Sequence, residues 1–209
     1  DPIYLEEKFM NYGYFDLEKK EYVITRPDTP AAWSNYLGDP NYGAIITNNA
    51  AGYSFVKSGA NGRIGRFRFN SMMALPGRYI YLHDKETKDF WSASWQPVGK
   101  PLDQYKSVCR HGTAYTVITS EYAGIETETT YYVPDTYEVW LFKITNKSDK
   151  PRTLSVFGFI EFTNESNYQQ DQVNLQYTLF ISRTSFENGN CIVQHINENS
   201  GKDEDSDKL

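Results

Sequence analysis

The chain has 209 residues, 39% hydrophobic and 23% charged, with a formal net charge of -6. That length suits one large domain, or at most two small ones, with a full core, and the acidic balance argues against a general nucleic-acid binder, which needs a basic footprint. No apolar stretch reaches membrane-spanning length, no secretory apolar region stands near the start, and Cys109 and Cys191 form neither a metal spacing nor a disulfide framework, so a reduced, cytoplasmic setting is expected.

Helical periodicity is almost absent, and short β-rich runs alternate with turn residues. Residues 1–10 are read as an N-terminal extension. Asn11–Asp16 and Glu21–Ile24 predict a first hairpin. The segment Thr25–Pro30 cannot continue a ladder, because Pro27 and Pro30 lack amide donors. Trp33–Pro40 is predicted to be a loop. Tyr42–Thr47 and Gly52–Lys57 predict strands, and so does Arg63–Asn70. In that last strand Arg63, Gly65, Phe67 and Phe69 would share one face, and Ile64, Arg66 and Arg68 the other. Arg78–His83 follows a Pro-Gly turn. Further strands are expected at Thr113–Ser120, Ile125–Val133, Val139–Thr145, Thr153–Phe162, Leu175–Arg183 and Cys191–His195. In Val139–Thr145 the residues Trp140, Phe142 and Ile144 should face the core. About a dozen short strands at this spacing predict an all-β fold, a large antiparallel β-sandwich over residues 11–200. The polar tail 201–209 is expected to be disordered or to start a linker.

Several residue groups could carry chemistry. Glu126 and Glu128 lie two apart on a predicted strand, so they share a face at roughly 7 Å. Such a pair could flank a glycosidic bond, but the solvated face of a strand carries such residues routinely, and that reading is preferred. Trp91 and Trp95 could form a sugar-stacking platform if they lay on one strand, or they could fill the core, where large aromatics dominate. Arg63, Arg66 and Arg68 beside Phe67 and Phe69 could hold an anion such as phosphate, or could build an interface, where arginine and aromatics concentrate. His83, His111 and His195 are scattered, and no metal motif, phosphate loop or nucleophile elbow occurs.

A run of local sequences then resembles one family in order along the chain. It comprises Tyr12-Gly-Tyr-Phe-Asp16, Glu21-Tyr-Val-Ile-Thr-Arg-Pro-Asp-Thr-Pro30, Trp33-Ser-Asn-Tyr-Leu-Gly38 and Asn49-Ala-Ala-Gly-Tyr-Ser-Phe55. It continues with Arg63-Ile-Gly-Arg-Phe-Arg-Phe-Asn70, Pro76-Gly-Arg-Tyr-Ile-Tyr81, Trp91-Ser-Ala-Ser-Trp-Gln-Pro-Val98, Cys109-Arg-His-Gly112, Tyr131-Tyr-Val-Pro134 and Asn146–Ser155. These resemble the amino-terminal domain of glycoside hydrolase family 94, the cellobiose phosphorylase type. The resemblance implies a supersandwich of galactose mutarotase-like architecture, followed in such enzymes by a helical linker, an (α/α)6 barrel and a jelly roll. It implies phosphorolysis of a β-linked disaccharide or oligosaccharide, with inorganic phosphate as co-substrate and no other cofactor. That is hexosyl transfer to phosphate, inverting, by a homodimer.

The catalytic acid of such enzymes sits in the barrel, so the resemblance assigns none to this chain. It implies that Asn49, Tyr53, Ser54 and Lys57, with Arg63 and Arg66, form a loop or interface reaching the partner subunit's active site. It also implies acceptor-sugar contacts at Gln169 and Gln170. There Gln170 stands where cellobiose phosphorylases carry arginine, and an amide cannot supply the guanidinium fork, which puts cellobiose in question as the substrate. The alternative is a non-catalytic carbohydrate-binding or structural sandwich on the same fold. The isolated chain would then bind a disaccharide at micromolar strength, about -8 kcal/mol.

Overall fold

The computed structural model describes residues 12–60, 62–67, 76–163, 182–189 and 191–196. Among them every regular element is a strand. The order is β1 (Gly13–Asp16), β2 (Glu21–Ile24), β3 (Ser34–Gly38), β4 (Tyr42–Thr47), β5 (Gly52–Val56), β6 (Tyr79–Asp84), β7 (Phe90–Ser92) and β8 (Lys106–His111). There follow β9 (Tyr115–Tyr122), β10 (Ile125–Tyr132), β11 (Val139–Asn146), β12 (Leu154–Phe159), β13 (Ser182–Glu187) and β14 (Cys191–Ile196).

The largest sheet runs β1-β2-β8-β9-β10-β11, and two three-stranded sheets run β3-β4-β5 and β12-β6-β7. β13 and β14 form a hairpin of their own. All pairings are antiparallel. Period-two alternation sets the buried face of the large sheet. β9 buries Thr116, Ile118, Ser120 and Tyr122, and β10 buries Ile125, Thr127, Thr129 and Tyr131.

Both small sheets cover that face. One cluster joins Ile24, Cys109, Ile118 and Tyr131 of the large sheet to Leu37, Ala44 and Ile46 of β3 and β4, with Tyr79. A second joins Tyr122 and Ile125 to Ile80, Leu82 and Trp91 of β6 and β7, with Tyr105. Each fully buried aliphatic or aromatic side chain contributes about 1.5–3 kcal/mol of transfer free energy. Two of the hydroxyls carried inward satisfy each other: Ser120 and Thr127, cross-strand partners, bond at 2.8 Å.

Three expectations change. Trp33–Pro40 is not all loop, since Ser34–Gly38 pairs with β4 as β3. Its polar composition suggests a turn, but Leu37 is buried against Ala44 and the Asn35 amide is held by the Gly112 and Tyr115 carbonyls. Arg63–Asn70 is not a ladder strand over its described part, 63–67. It runs as a connector, with isolated bridges Phe55↔Arg63 and Gly65↔Phe162. Its backbone bonds alternate between Ser54 on one side and Glu161 on the other. Arg63, Arg66 and Phe67 are all buried, so there is no two-faced alternation. In β11, Trp140 and Phe142 pack inward, whereas Ile144 is 39% exposed, because β11 is the edge of its sheet. The strands β7 and β8 were not anticipated. Of the predicted strand Leu175–Arg183, residues 175–181 lie outside the described residues.

Candidate functional site

The six residues expected to reach a partner subunit cluster around β5. Gly52 opens that strand at φ +124, a conformation reserved for glycine, and a Cβ there would strike the Ile45 carbonyl. Arg63 lays its guanidinium over the Tyr53 ring at 4.1 Å and donates to the carbonyls of Gly59 and Phe67. Arg66 is buried against Glu161 as an ion pair. Tyr53 also contacts the rings of Phe55 and Phe67. Ser54 is buried, and the Asn49 amide turns inward to the Pro27 carbonyl at 2.9 Å.

Five of the six are therefore buried and engaged within the domain. Lys57 alone is exposed, at positive φ, beside Val56 and Ala60. Arg66 is paired with a carboxylate, and Arg63 directs its N–H groups to backbone carbonyls and its face to the Tyr53 ring, so both arginines brace β5 from within the domain. What this region can present to another surface is its tip, Val56–Ala60. Gln169 and Gln170 lie outside the described residues.

The other sequence candidates resolve toward structure. Trp91 is buried in the second cluster, and Trp95 lies past β7 in a turn with its indole donating to the Lys100 carbonyl, so the two form no common platform. Glu126 and Glu128 sit on the outer side of β10, where Lys147 pairs with Glu126 at 3.0 Å. Among the described residues no group of three or more His, Cys, Asp or Glu side chains could hold a metal ion.

A groove that the sequence did not flag lies where the β1–β2 turn, the start of β3 and the end of β8 meet, with a volume of about 710 Å³. Phe15, Tyr22 and Trp33 line it as successive rings: Phe15 meets Tyr22 edge-on at 4.7 Å, and Tyr22 lies 5.8 Å from Trp33. Behind them the polar groups are locked. The buried Glu21 carboxylate accepts the Tyr115 hydroxyl at 2.6 Å and pairs with Arg110 at 3.3 Å. The Glu21 contact raises the Tyr115 phenol above its ordinary value. Gly112 makes room for this arrangement, because a Cβ there would collide with the Tyr115 ring.

His111 places Nε2 3.1 Å from the Trp33 carbonyl and Nδ1 2.9 Å from the Thr116 hydroxyl. A carbonyl only accepts, so Nε2 carries the proton and Nδ1 accepts. Burial lowers the imidazole pKa, opposed in part by the Trp33 carbonyl, and burial raises the Cys109 thiol. The motifs Glu21–Pro30, Trp33–Gly38 and Cys109–Gly112 thus converge on one site, a convergence set by the β2–β8 pairing and by the bonds of Asn35 to the Gly112 carbonyl and of His111 to the Trp33 carbonyl, and invisible in linear sequence.

Residues 20–206 match the family model "Glycosyl hydrolase 94, supersandwich domain". The chain belongs to glycoside hydrolase family 94. Among curated relatives, this family 94 chain is similar to the N,N'-diacetylchitobiose phosphorylase of Vibrio furnissii, 47% identical over 182 residues. That covers 86% of the chain and 23% of the relative. It is 44% identical to the enzyme of the same name from Vibrio proteolyticus over 86% of the chain and 23% of that relative. It is 30% identical to the solabiose phosphorylase of Paenibacillus borealis over 78% of the chain and 22% of that relative. The family 94 chain therefore spans less than a quarter of the length of these relatives. Among its described residues no helix is long and apolar enough to cross a membrane.

Proposed function

We propose that this chain is the supersandwich of an inverting phosphorylase of β-linked disaccharides, and that the polypeptide completing it carries the catalytic acid. The observation that carries the reading is 47% identity over 86% of the chain to a phosphorylase. In the reaction a phosphate oxygen attacks the anomeric carbon from the face opposite the glycosidic bond. That bond breaks, and a carboxylic acid gives its proton to the departing oxygen. The products are an α-sugar 1-phosphate and a free sugar. Phosphate is already a nucleophile, so no general base is required.

The described residues fit a supporting role. The two carboxylates that share a strand face, Glu126 and Glu128, stand in the open, one of them paired with lysine. In a cytoplasmic homodimer the tip Val56–Ala60 would contact the partner subunit, braced by Arg63 and Arg66 from behind. Gln169 and Gln170 would contact the acceptor sugar. The two Vibrio relatives, both N,N'-diacetylchitobiose phosphorylases, support N,N'-diacetylchitobiose as the substrate, and an amide at Gln170 puts cellobiose in question.

The test is phosphorolysis by the full-length gene product against a panel of β-linked disaccharides, scored by sugar 1-phosphate. Release from N,N'-diacetylchitobiose ahead of cellobiose is expected. No sugar 1-phosphate from any member of the panel would overturn the reading.

A further inference from the structure

We infer that the groove between the β1–β2 turn, β3 and β8 is a carbohydrate-binding site that takes a neutral pyranose unit of an oligosaccharide. Its volume, about 710 Å³, lies within the roughly 300–1,000 Å³ of small-molecule pockets. None of Asn49, Tyr53, Ser54, Lys57, Arg63 and Arg66 lines it.

The lining selects the ligand class. Phe15 is 73% exposed although it is a large apolar ring at the mouth of a cavity. Behind it Tyr22 and Trp33 continue the aromatic wall. A ligand must therefore offer a flat apolar face. Charge favours neither sign: the carboxylates of Asp16 and Glu21 stand against the cations of Lys20 and Arg110. With Glu21 paired to Arg110 behind the wall, one carboxylate, Asp16, and one ammonium, Lys20, remain at the groove, so a neutral ligand suffers least. A pyranose combines the required properties, with axial C–H groups on one face and hydroxyls around the rim.

The rim can serve those hydroxyls. Asp16 accepts, Lys20 donates, and Ser34 and Thr113 do either. Glu21, Asn35 and His111 are already fixed by Tyr115, the Gly112 carbonyl and Thr116, so binding requires little ordering of the protein. The groove is open on one side, which places the affinity for a disaccharide on the order of 1 mM.

The inference rests on the phosphorylase reading only for the choice of probe. The 209-residue chain is titrated with N,N'-diacetylchitobiose and, separately, cellobiose, following tryptophan fluorescence, since Trp33 lines the groove. Saturable binding near 1 mM is expected, weakened about tenfold by Phe15→Ala. Phe90→Ala removes another exposed ring outside the groove and should leave binding unchanged. Equal melting temperatures for the two variants would show that both are folded. No saturable signal up to about 50 mM with either sugar, or binding that Phe15→Ala leaves intact, would overturn the site. The phosphorolysis assay on the full-length product is independent. Turnover there with no binding here removes the groove alone, whereas binding here with no turnover there removes the phosphorylase reading alone.

Discussion

Arg78 and Glu138, sixty positions apart in the chain, form an ion pair with side chains only 2% and 8% exposed. Arg78 precedes β6 and Glu138 precedes β11, so the pair ties the small β12-β6-β7 sheet to the edge of the large one. The same guanidinium donates to the Ile45 carbonyl of β4 at 3.0 Å, and the Trp140 indole donates to Glu138 at 2.6 Å. One side chain thus links three sheets.

Arg78→Met should therefore cost about 3–5 kcal/mol, because it strands a buried carboxylate with a single indole donor. Pairing it with Glu138→Gln should recover a good part of the loss, since the stranded charge is then gone. Urea unfolding midpoints of the two variants measure this. A loss under about 1 kcal/mol for Arg78→Met would mean that water reaches the pair.

Asp84 and Arg152 make a comparable link between the end of β6 and the approach to β12, with Asp84 fully buried. Arg152, helped by the Glu86 and Thr87 amides, holds the Asp84 pKa at about 2, below its ordinary 3.8. A depressed carboxylate stabilises the fold above the unfolded value and loses that contribution as pH falls through the folded one. Stability should decline between about pH 4 and pH 2 by this route. Arg152→Met should lower stability at pH 7 by about 3 kcal/mol or more and flatten that acid limb. Acid titrations of the unfolding free energy compare the two, and parallel limbs would show that Arg152 does not set the Asp84 pKa.

Trp91 decides between a sugar platform and a core. It is 1% exposed and lies against Tyr122 at 5.3 Å. Trp91→Ala should cost about 3–5 kcal/mol in unfolding free energy. It should leave the affinity of the β1–β3–β8 groove unaltered in protein kept cold enough to remain folded. A sugar-binding defect with full stability would restore the platform reading.

Where alternation was clean, the fold could be read directly. β9 and β10 alternate between buried and open positions along their length, and for these two the expected ends lie within two residues of the observed ones. The failures share a cause, which is that partners distant in sequence decided the outcome. Ser34–Gly38 carries turn-forming residues, yet β4 makes it a strand. Arg63–Phe67 has strand composition, yet Ser54 and Glu161 hold it as a connector. The site suffered in the same way. Asn49 through Arg66 could be found as a group, but their burial could not, because the acceptor for Arg66 is Glu161, 95 positions away. The groove was harder still, since its walls come from residues near 15, 33 and 111 that only strand pairing assembles.

His111 joins that groove to the pH dependence of the fold. Its two ring nitrogens are occupied by the Trp33 carbonyl and the Thr116 hydroxyl. The group next to it is the Cys109 thiol, 3.7 Å from Nδ1, whose own pKa is raised by burial, so no thiolate is there to balance an imidazolium. Burial lowers the imidazole pKa from its ordinary 6.5. The unfolded chain therefore takes up this proton at a higher pH than the folded chain does. Between the two values the unfolded state binds more protons, and stability falls as pH drops below about 6.5. The slope from one such proton is at most about 1.4 kcal/mol per pH unit. His111→Gln can keep a donor toward Trp33 without the titration. The difference in unfolding free energy between wild type and variant should shrink from pH 7.5 to pH 5, while His83 and His195, present in both, cancel. Wild-type and variant curves that run parallel across that range would mean that His111 titrates as it does in the unfolded chain, and that the groove wall it supports is wet.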